Sequence, residues 1–458
     1  MPRLLAPALF FALTLFLRAD DWPEFMGPAR NQVSAETGLI AALPVGGPPL
    51  AWEKAVGKGY SAPSVRGGKL VVHHRVGSEE IVEACDAKSG LTLWKYAYPS
   101  DYRDPFGYNN GPRCTPLLTA DRCYTFGAEG VLLCLDMAAG KKVWRRDTAA
   151  DFEVPEAFFG AGSSPVLEDG LLIVQVGAQP DSGVVAFDAA TGKTVWEAVG
   201  EKSWSGVPMT AWPGSRTVVW NRNDPTFEKQ ASYCTPVAAT IHGQRHILVC
   251  TRQGLVSLDP KTGAVNFSFW FRARQNETVT AMTPVVHGDL VLLSNCYYRT
   301  GSVCLRVKAD GKAVEEVWRG LQLEVHWTRP VLEKGMLYAF SGRNEPDARF
   351  RCVELATGDV KWDRTEGWPN GSHAKPGAGD KAPDVFGRGA AILADGKLIV
   401  LGEAGLLGLF KPNPGKVEEI ARWQVPQMHY PCWAAPVLAN RLLYLRDEDH
   451  LVCYDLAK

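Results

Sequence analysis

Short apolar runs separated by clusters of Gly, Pro and Asp recur along the whole chain, the pattern of strands joined by tight turns. Two half-patterns alternate. The first runs small-x-Pro, a Val or Leu, a short turn and an apolar strand, as in SSPVLEDGLLIVQVG from Ser163 and MTPVVHGDLVLLS from Met282. Proline is tolerated at the first position of a strand because no ladder donor is lost there. The second runs from an alternating strand into an Asp-opened turn, a Gly, and a strand carrying Trp. Its clearest copy is AFDAATGKTVW, Ala186 to Trp196, with relatives at Cys134 to Trp144, Ala84 to Trp94, Ser257 to Phe267 and Cys352 to Trp362. In four of the five an Asp opens the turn by accepting backbone hydrogen bonds, with Glu354 in its place in the fifth; in all five Gly takes a positive φ and a ring follows four residues after the Gly.

The two halves make two hairpins, hence four strands, the size of one propeller blade. Pro-type starts fall at Pro63, Pro116, Pro165, Pro236, Pro284, Pro330 and Pro436, with Ala391 in the eighth equivalent place. Ring closers fall at Trp52, Trp94, Trp144, Trp196, Phe267, Trp318, Trp362 and Trp423, again eight. The last copy, LVCYDLAK, stops where its Trp strand should follow, and Trp52 supplies a spare Trp strand near the beginning. The expectation is an all-β, eight-bladed propeller of four-stranded antiparallel blades over residues 48–458, closed by one composite blade. The recurring Trp residues are expected to be packing devices between blades.

The AxDxxTGKxxW motif resembles that of the pyrroloquinoline-quinone-type (PQQ-like) propeller superfamily, and the resemblance covers essentially residues 48–458. The opening DWPEFMGPARNQVSAETGL is similar to the leader of a bacterial exported subgroup carrying this propeller. The resemblance implies one of two activities. Quinoprotein dehydrogenases use a quinone, a calcium ion and a catalytic Asp at the central funnel. Binding scaffolds, such as the propeller lipoprotein of the outer-membrane barrel-assembly machinery, have no catalytic apparatus. The chain departs from the first class in lacking an adjacent Cys pair and a cytochrome extension, and from the second in lacking a lipidation Cys.

Composition adds compartment and partners. Arg3, the apolar run Leu4 to Leu17 and Ala19 read as a secretory signal peptide over 1–19, followed by an extended segment over 20–47. A periplasmic or secreted location follows, with no membrane-crossing segment beyond the leader. The net charge of −1 argues against a nucleic-acid partner. Of the eleven cysteines, Cys114, Cys134, Cys234, Cys352 and Cys453 occupy repeat positions that elsewhere hold Ala or Ser, and most of the eleven are expected to be small buried thiols.

In a propeller, the loops entering the innermost strands surround the channel. Three residues before each Pro-type start stand Tyr60, Arg113, Gly162, Tyr233, Ala281, Trp327, Arg388 and Trp433, with Asn109, His326, Arg329 and His429 nearby. Aromatic faces with guanidinium groups suit a planar or anionic small ligand, or a protein partner. The same rings can also simply plug the channel. His326 and His429 show no metal-ligand spacing, so no metal site is assigned, and no catalytic residue is identifiable. Insertions at 101–113, 204–229 and 365–387 are expected to be lids or contact surfaces. The leading expectation is a non-catalytic binding scaffold working through its funnel. The alternative is a PQQ- and calcium-dependent oxidoreductase of alcohols or sugars.

Overall fold

The computed structural model describes residues 20–154, 159–178, 181–200, 232–273, 279–368 and 384–458. The expected signal segment, the insertion at 204–229 and most of that at 365–387 lie outside the described residues. The described strands form eight four-stranded antiparallel sheets, the blades of a β-propeller. Blades 1 to 7 span residues 64–99, 117–147, 166–198, 237–270, 285–320, 331–365 and 390–424. Blade 8 is the composite: Leu50–Ala55 pairs with His450–Asp455, and Leu442–Arg446 and Val437–Ala439 complete it. A ring closed by both ends of the chain leaves no blade incomplete, and the sheet edges that remain are short.

Burial explains the two apolar patterns. Second strands such as Leu171–Gln175 lie between neighbouring blades and are buried along nearly their whole length, so they read as continuous apolar runs. Fourth strands such as Lys142–Asp147 lie on the rim and bury only alternate residues, among them the Trp. The innermost hairpins turn through pairs with positive φ, including Gly67–Gly68, Asp169–Gly170, His242–Gly243 and Asp395–Gly396. This is the type I′ geometry whose twist matches paired strands.

The closers connect blades. The indole N–H groups of Trp52, Trp94, Trp144, Trp196 and Trp318 donate to Ala87 O, Met137 O, Ala189 O, Pro260 O and Leu355 O in the next blade, over 2.8–3.2 Å. Each acceptor is the residue after the turn-opening Asp or Glu. Trp362 donates to Asn413 O at 2.8 Å. A bulge follows the residue paired with each of these rings, which are Cys453, Ala84, Cys134, Ala186, Cys304 and Cys352. That small partner makes room for the indole. All eleven cysteines are buried and unpaired.

Trp423 corrects the count of closers. Ala421, paired with Leu409 beside the bulge, holds the equivalent position in blade 7, and Trp423 lies two residues further along. Its ring instead covers Gly47, where an added Cβ would come within 2.2 Å, and meets Tyr454 edge-on at 5.4 Å.

The segment 20–47 was expected to be extended, yet Met26, Gly27, Arg30 and Gln32 are all left-handed and coil it beneath the channel. It is stitched to several blades. Trp22 exchanges backbone bonds with Val65, Leu118 N donates to Pro23 O, and Leu393 N donates to Gln32 O. Arg30 donates to Leu167 O at 2.8 Å, and the Glu36 carboxylate accepts from Asn440 N and Arg441 N in the inner turn of blade 8. This strap covers the end of the channel opposite the strand entrances.

Candidate functional site

The first strand of a blade begins, and the hairpin between its second and third strands turns, at the same end of the propeller. Two rings of loop residues therefore surround one mouth. Beneath them, the residues just before the Pro-type starts form a polar belt. Thr115 N donates to Ser164 Oγ at 2.9 Å, Ser164 N to Thr235 Oγ1 at 3.1 Å, and Thr235 N to Thr283 Oγ1 at 3.1 Å. One residue earlier, Cys114 Sγ donates to Ser163 O and Ser163 Oγ to Cys234 O. Cys therefore acts there as a small donor in the packing.

This belt forms part of the wall of a cavity of about 500 Å³. All eight residues three before the starts line it: Tyr60, Arg113, Gly162, Tyr233, Ala281, Trp327, Arg388 and Trp433. His326 and Arg329 line it as well. Asn109 and His429 do not. Asn109 donates to Glu448 Oε1 at 3.1 Å and steadies the 101–113 loop, while the His429 ring faces His450. Trp22, Phe25 and Met26 of the strap close the floor. Gly162 is small because the Tyr233 ring lies where its Cβ would be, 2.5 Å away.

The wall is a chain of aromatic contacts. Tyr60 packs on Trp433 at 4.9 Å, Trp433 on Trp327 at 5.4 Å, Trp327 on His326 at 4.9 Å and His326 on Tyr297 at 5.3 Å. From the 101–113 loop, Tyr108 reaches Trp433 at 5.6 Å and Phe159 at 5.9 Å. The half-buried Trp327 and Trp433 narrow the mouth and leave the cavity beneath it open.

Charge is one-sided. Four guanidinium groups, Arg113, Arg329, Arg343 and Arg388, line the cavity, and no Asp or Glu does so among the described residues. Arg113 pairs with Asp104 at 2.6 Å and Arg388 with Glu403 at 2.8 Å, both carboxylates lying behind the wall. Arg329 has no acidic partner among the described residues and donates to Pro284 O at 3.2 Å and Asn31 O at 3.3 Å; burial lowers its pKa to about 10, so it stays charged at neutral pH. Arg343 stacks over Tyr297 at 4.6 Å and Tyr298 at 5.0 Å. Burial, and then the charges of Arg388 and Arg343, push the His326 pKa well below its ordinary value and keep the ring neutral.

These donors fit a planar anion. They do not fit a calcium ion, which takes six to eight oxygens, usually with carboxylates among them. Nor does the described wall offer a carboxylate base. Sequence reasoning passed over Tyr297 and Arg343, although each stands thirteen residues after its blade's proline, Pro284 and Pro330, in the second ring of loops. Aligning that ring as well as the first would have found them.

Comparison with known proteins places this geometry. A family model described as outer membrane protein assembly factor BamB matches residues 78–364. The chain is 28% identical over 132 residues to the quinohemoprotein alcohol dehydrogenase ADH-IIG of Pseudomonas putida, a match covering 27% of this chain and 17% of that enzyme. In structure it is similar to the quinohemoprotein alcohol dehydrogenase of Comamonas testosteroni, at a TM-score of 0.61 and 13% identity over 95% of this chain and 80% of that one. It is also similar to BamB of Moraxella catarrhalis, at a TM-score of 0.56 and 12% identity over 89% and 97%. At such identities these likenesses establish the fold. No helix among the described residues is long and apolar enough to cross a membrane.

Proposed function

Because this chain belongs to the BamB family of PQQ-like repeat propellers, we propose that it is a non-catalytic binding scaffold whose funnel receives a planar or anionic group. That group belongs either to a small ligand or to a partner protein. The observation that carries the reading is the cavity wall, with four guanidinium groups, a continuous aromatic surface and no described carboxylate. Two of the four, Arg113 and Arg388, are paired with carboxylates behind the wall; cations beside low-dielectric walls that face the cavity attract an anion, and aromatic faces orient a flat one. The apolar run Leu4 to Leu17 supports export to the periplasm or beyond.

A PQQ-dependent oxidoreductase is the second reading. It is favoured by the fit of a flat, anionic quinone to the same wall, and it lacks a described ligand set for calcium.

The test is a titration of mature chain, from residue 20, with pyrroloquinoline quinone, in calcium and in a calcium chelator. Melting temperature and quinone absorbance are followed, because a ligand that binds only the folded state stabilises it by ~2.7 kcal/mol at a hundred times its Kd. The expected result is a rise in melting temperature that does not depend on calcium. A calcium-dependent rise accompanied by dye-linked oxidation of an alcohol or sugar would establish the oxidoreductase. No rise at millimolar quinone would remove the small-ligand form of the proposal and direct the search to protein partners.

A further inference from the structure

One wall of the cavity holds an ion pair that continues into hydrogen bonds, and the chemistry of the groups sets their direction. Glu403, fully buried, pairs with Arg388 Nε at 2.8 Å. Arg388 Nη1 carries two protons and donates one to Arg343 O at 2.6 Å and the other to His326 Nδ1 at 3.1 Å. A guanidinium cannot accept, so His326 must present a bare Nδ1 and carry its proton on Nε2. That Nε2–H lies 3.2 Å from Tyr297 Oη and donates to it. Tyr297 thus accepts from behind, and its own hydroxyl proton has no acceptor among the described residues. The tyrosine borders the cavity, and Arg343 stacks on its ring at 4.6 Å.

The backbone around Tyr297 is held at a cost. Tyr298 and Arg299 are consecutive non-glycine residues in the left-handed region, with φ of 51° and 57°. Each such placement costs on the order of 1 kcal/mol or more, and strain of this kind gathers where a side chain must be aimed. The turn is secured by Asn295 Oδ1, which accepts from Tyr297 N at 2.7 Å, and by Thr300 Oγ1, which donates to Tyr297 O at 2.7 Å. Asn295 is itself anchored to Val279 O at 3.0 Å.

We propose that Tyr297 is a specificity-determining residue of the funnel, its hydroxyl proton held toward the cavity by the Glu403–Arg388–His326 chain to receive an oxyanion of a planar ligand, with Arg343 as the accompanying cation. This rests on the ligand-binding reading above and names the group recognised. A carboxylate gains a charge-assisted bond from the hydroxyl, whereas an alcohol of the same shape gains a weaker one. Lysine at position 388 would not reproduce the chain, because it lacks the fork that pairs with Glu403 through Nε while Nη1 reaches Arg343 O and His326 Nδ1.

Two measurements test it separately. The first needs no ligand: ¹⁵N chemical shifts of the imidazoles in the intact protein. The expected result is a neutral His326 protonated at Nε2 at pH 7, with that preference lost in Arg388→Lys. A His326 protonated at Nδ1, or on both nitrogens, would overturn the chain.

The second compares naphthalene-2,6-dicarboxylate with naphthalene-2,6-dimethanol, read by quenching of tryptophan fluorescence. Wild-type protein is expected to prefer the dicarboxylate. Tyr297→Phe and His326→Phe are each expected to lower that preference by about tenfold, with each variant's melting curve confirming a folded propeller. An unchanged preference in folded Tyr297→Phe would overturn the inference and leave the binding reading standing. Binding of neither probe by wild-type protein would overturn the inference together with the small-ligand form of the binding reading.

Discussion

In blades 1 to 4 and 6 the glycine of the outer turn answers two demands at one atom. Gly192 has a φ of +71°, which disfavours any Cβ, and the Trp144 ring lies 2.7 Å from where that Cβ would be. Gly90, Gly140, Gly263 and Gly358 stand in the same relation to Trp52, Trp94, Trp196 and Trp318. Gly396, in an inner hairpin, shares the backbone demand at φ +69° but has nothing within 4 Å of the missing Cβ. Gly396→Ala is therefore expected to cost about 1 kcal/mol, the conformational penalty alone. Gly192→Ala is expected to cost about 3 kcal/mol, because overpacking against the indole adds to it. Denaturant midpoints of the two variants check the difference, and equal losses would mean that the ring simply moves aside.

At the scale of elements, ring closure depends on one side chain as well as on strand pairing. Arg446, at the end of Leu442–Arg446 in the composite blade, is 1% exposed. Its Nη1 donates to Ser61 O and to His73 O at 3.0 Å, and its Nη2 donates to Gly57 O at 3.1 Å, so it ties blade 8 to blade 1. Burial lowers its pKa to about 10, leaving it charged at neutral pH. Removing it takes a charged donor from the buried carbonyls of Ser61, His73 and Gly57. Arg446→Ala is expected to cost about 3 kcal/mol, and Arg446→Lys to recover little of that. Hydrogen exchange should quicken first in Leu50–Ala55 and His450–Asp455, where the ends of the chain meet. Uniform loss of protection around the ring would show instead that closure does not rest on this residue.

Across the whole molecule, acid acts through groups buried neutral and groups buried charged. Burial, then nearby cations, lowers the pKa of His326; burial also leads for His74, where it outweighs the raising effect of Glu83. The unfolded chain binds protons at these histidines near their ordinary value while the folded chain refuses them. Stability is therefore full above about pH 6.5 and falls as the pH drops below it. For Glu80 and Glu83 burial works upward, but donors from His73 and Tyr98, and from His74, Lys54 and Thr92, outweigh it and hold both carboxyls below the usual range. Their contribution is lost at lower pH, as the medium falls through the ordinary carboxylate range toward their folded values. Burial raises Glu24, Glu36, Glu324 and Asp447, which act in the opposite sense. The melting temperature is expected to fall from pH 7.5 to 5.5, and less steeply in His326→Gln, which removes one refusing site. An identical slope in that variant would place the effect elsewhere.

Periodicity by itself determined the blades, because each repeat carries its own turn and strand chemistry: AFDAATGKTVW needs no distant partner to show where its chain reverses. It also determined which positions face the channel, since quasi-equivalence brings Tyr60, Trp327, Arg388 and Trp433 to one ring once the prolines are aligned. Closure was legible too, in a surplus Trp strand and a missing one. The tertiary structure alone decided what breaks the repeat. Trp423 lies two residues from the closing position because its indole packs on Gly47, in a segment that belongs to no blade. That segment coils into a floor through contacts with inner strands far away in sequence, such as Val65 and Leu393, and no local pattern encodes them. The direction of the chain from Glu403 to Tyr297 depends likewise on which atoms of different blades come within 3.2 Å. Repeats encode what every blade shares, whereas the chemistry of the cavity lies in the side chains by which the blades differ.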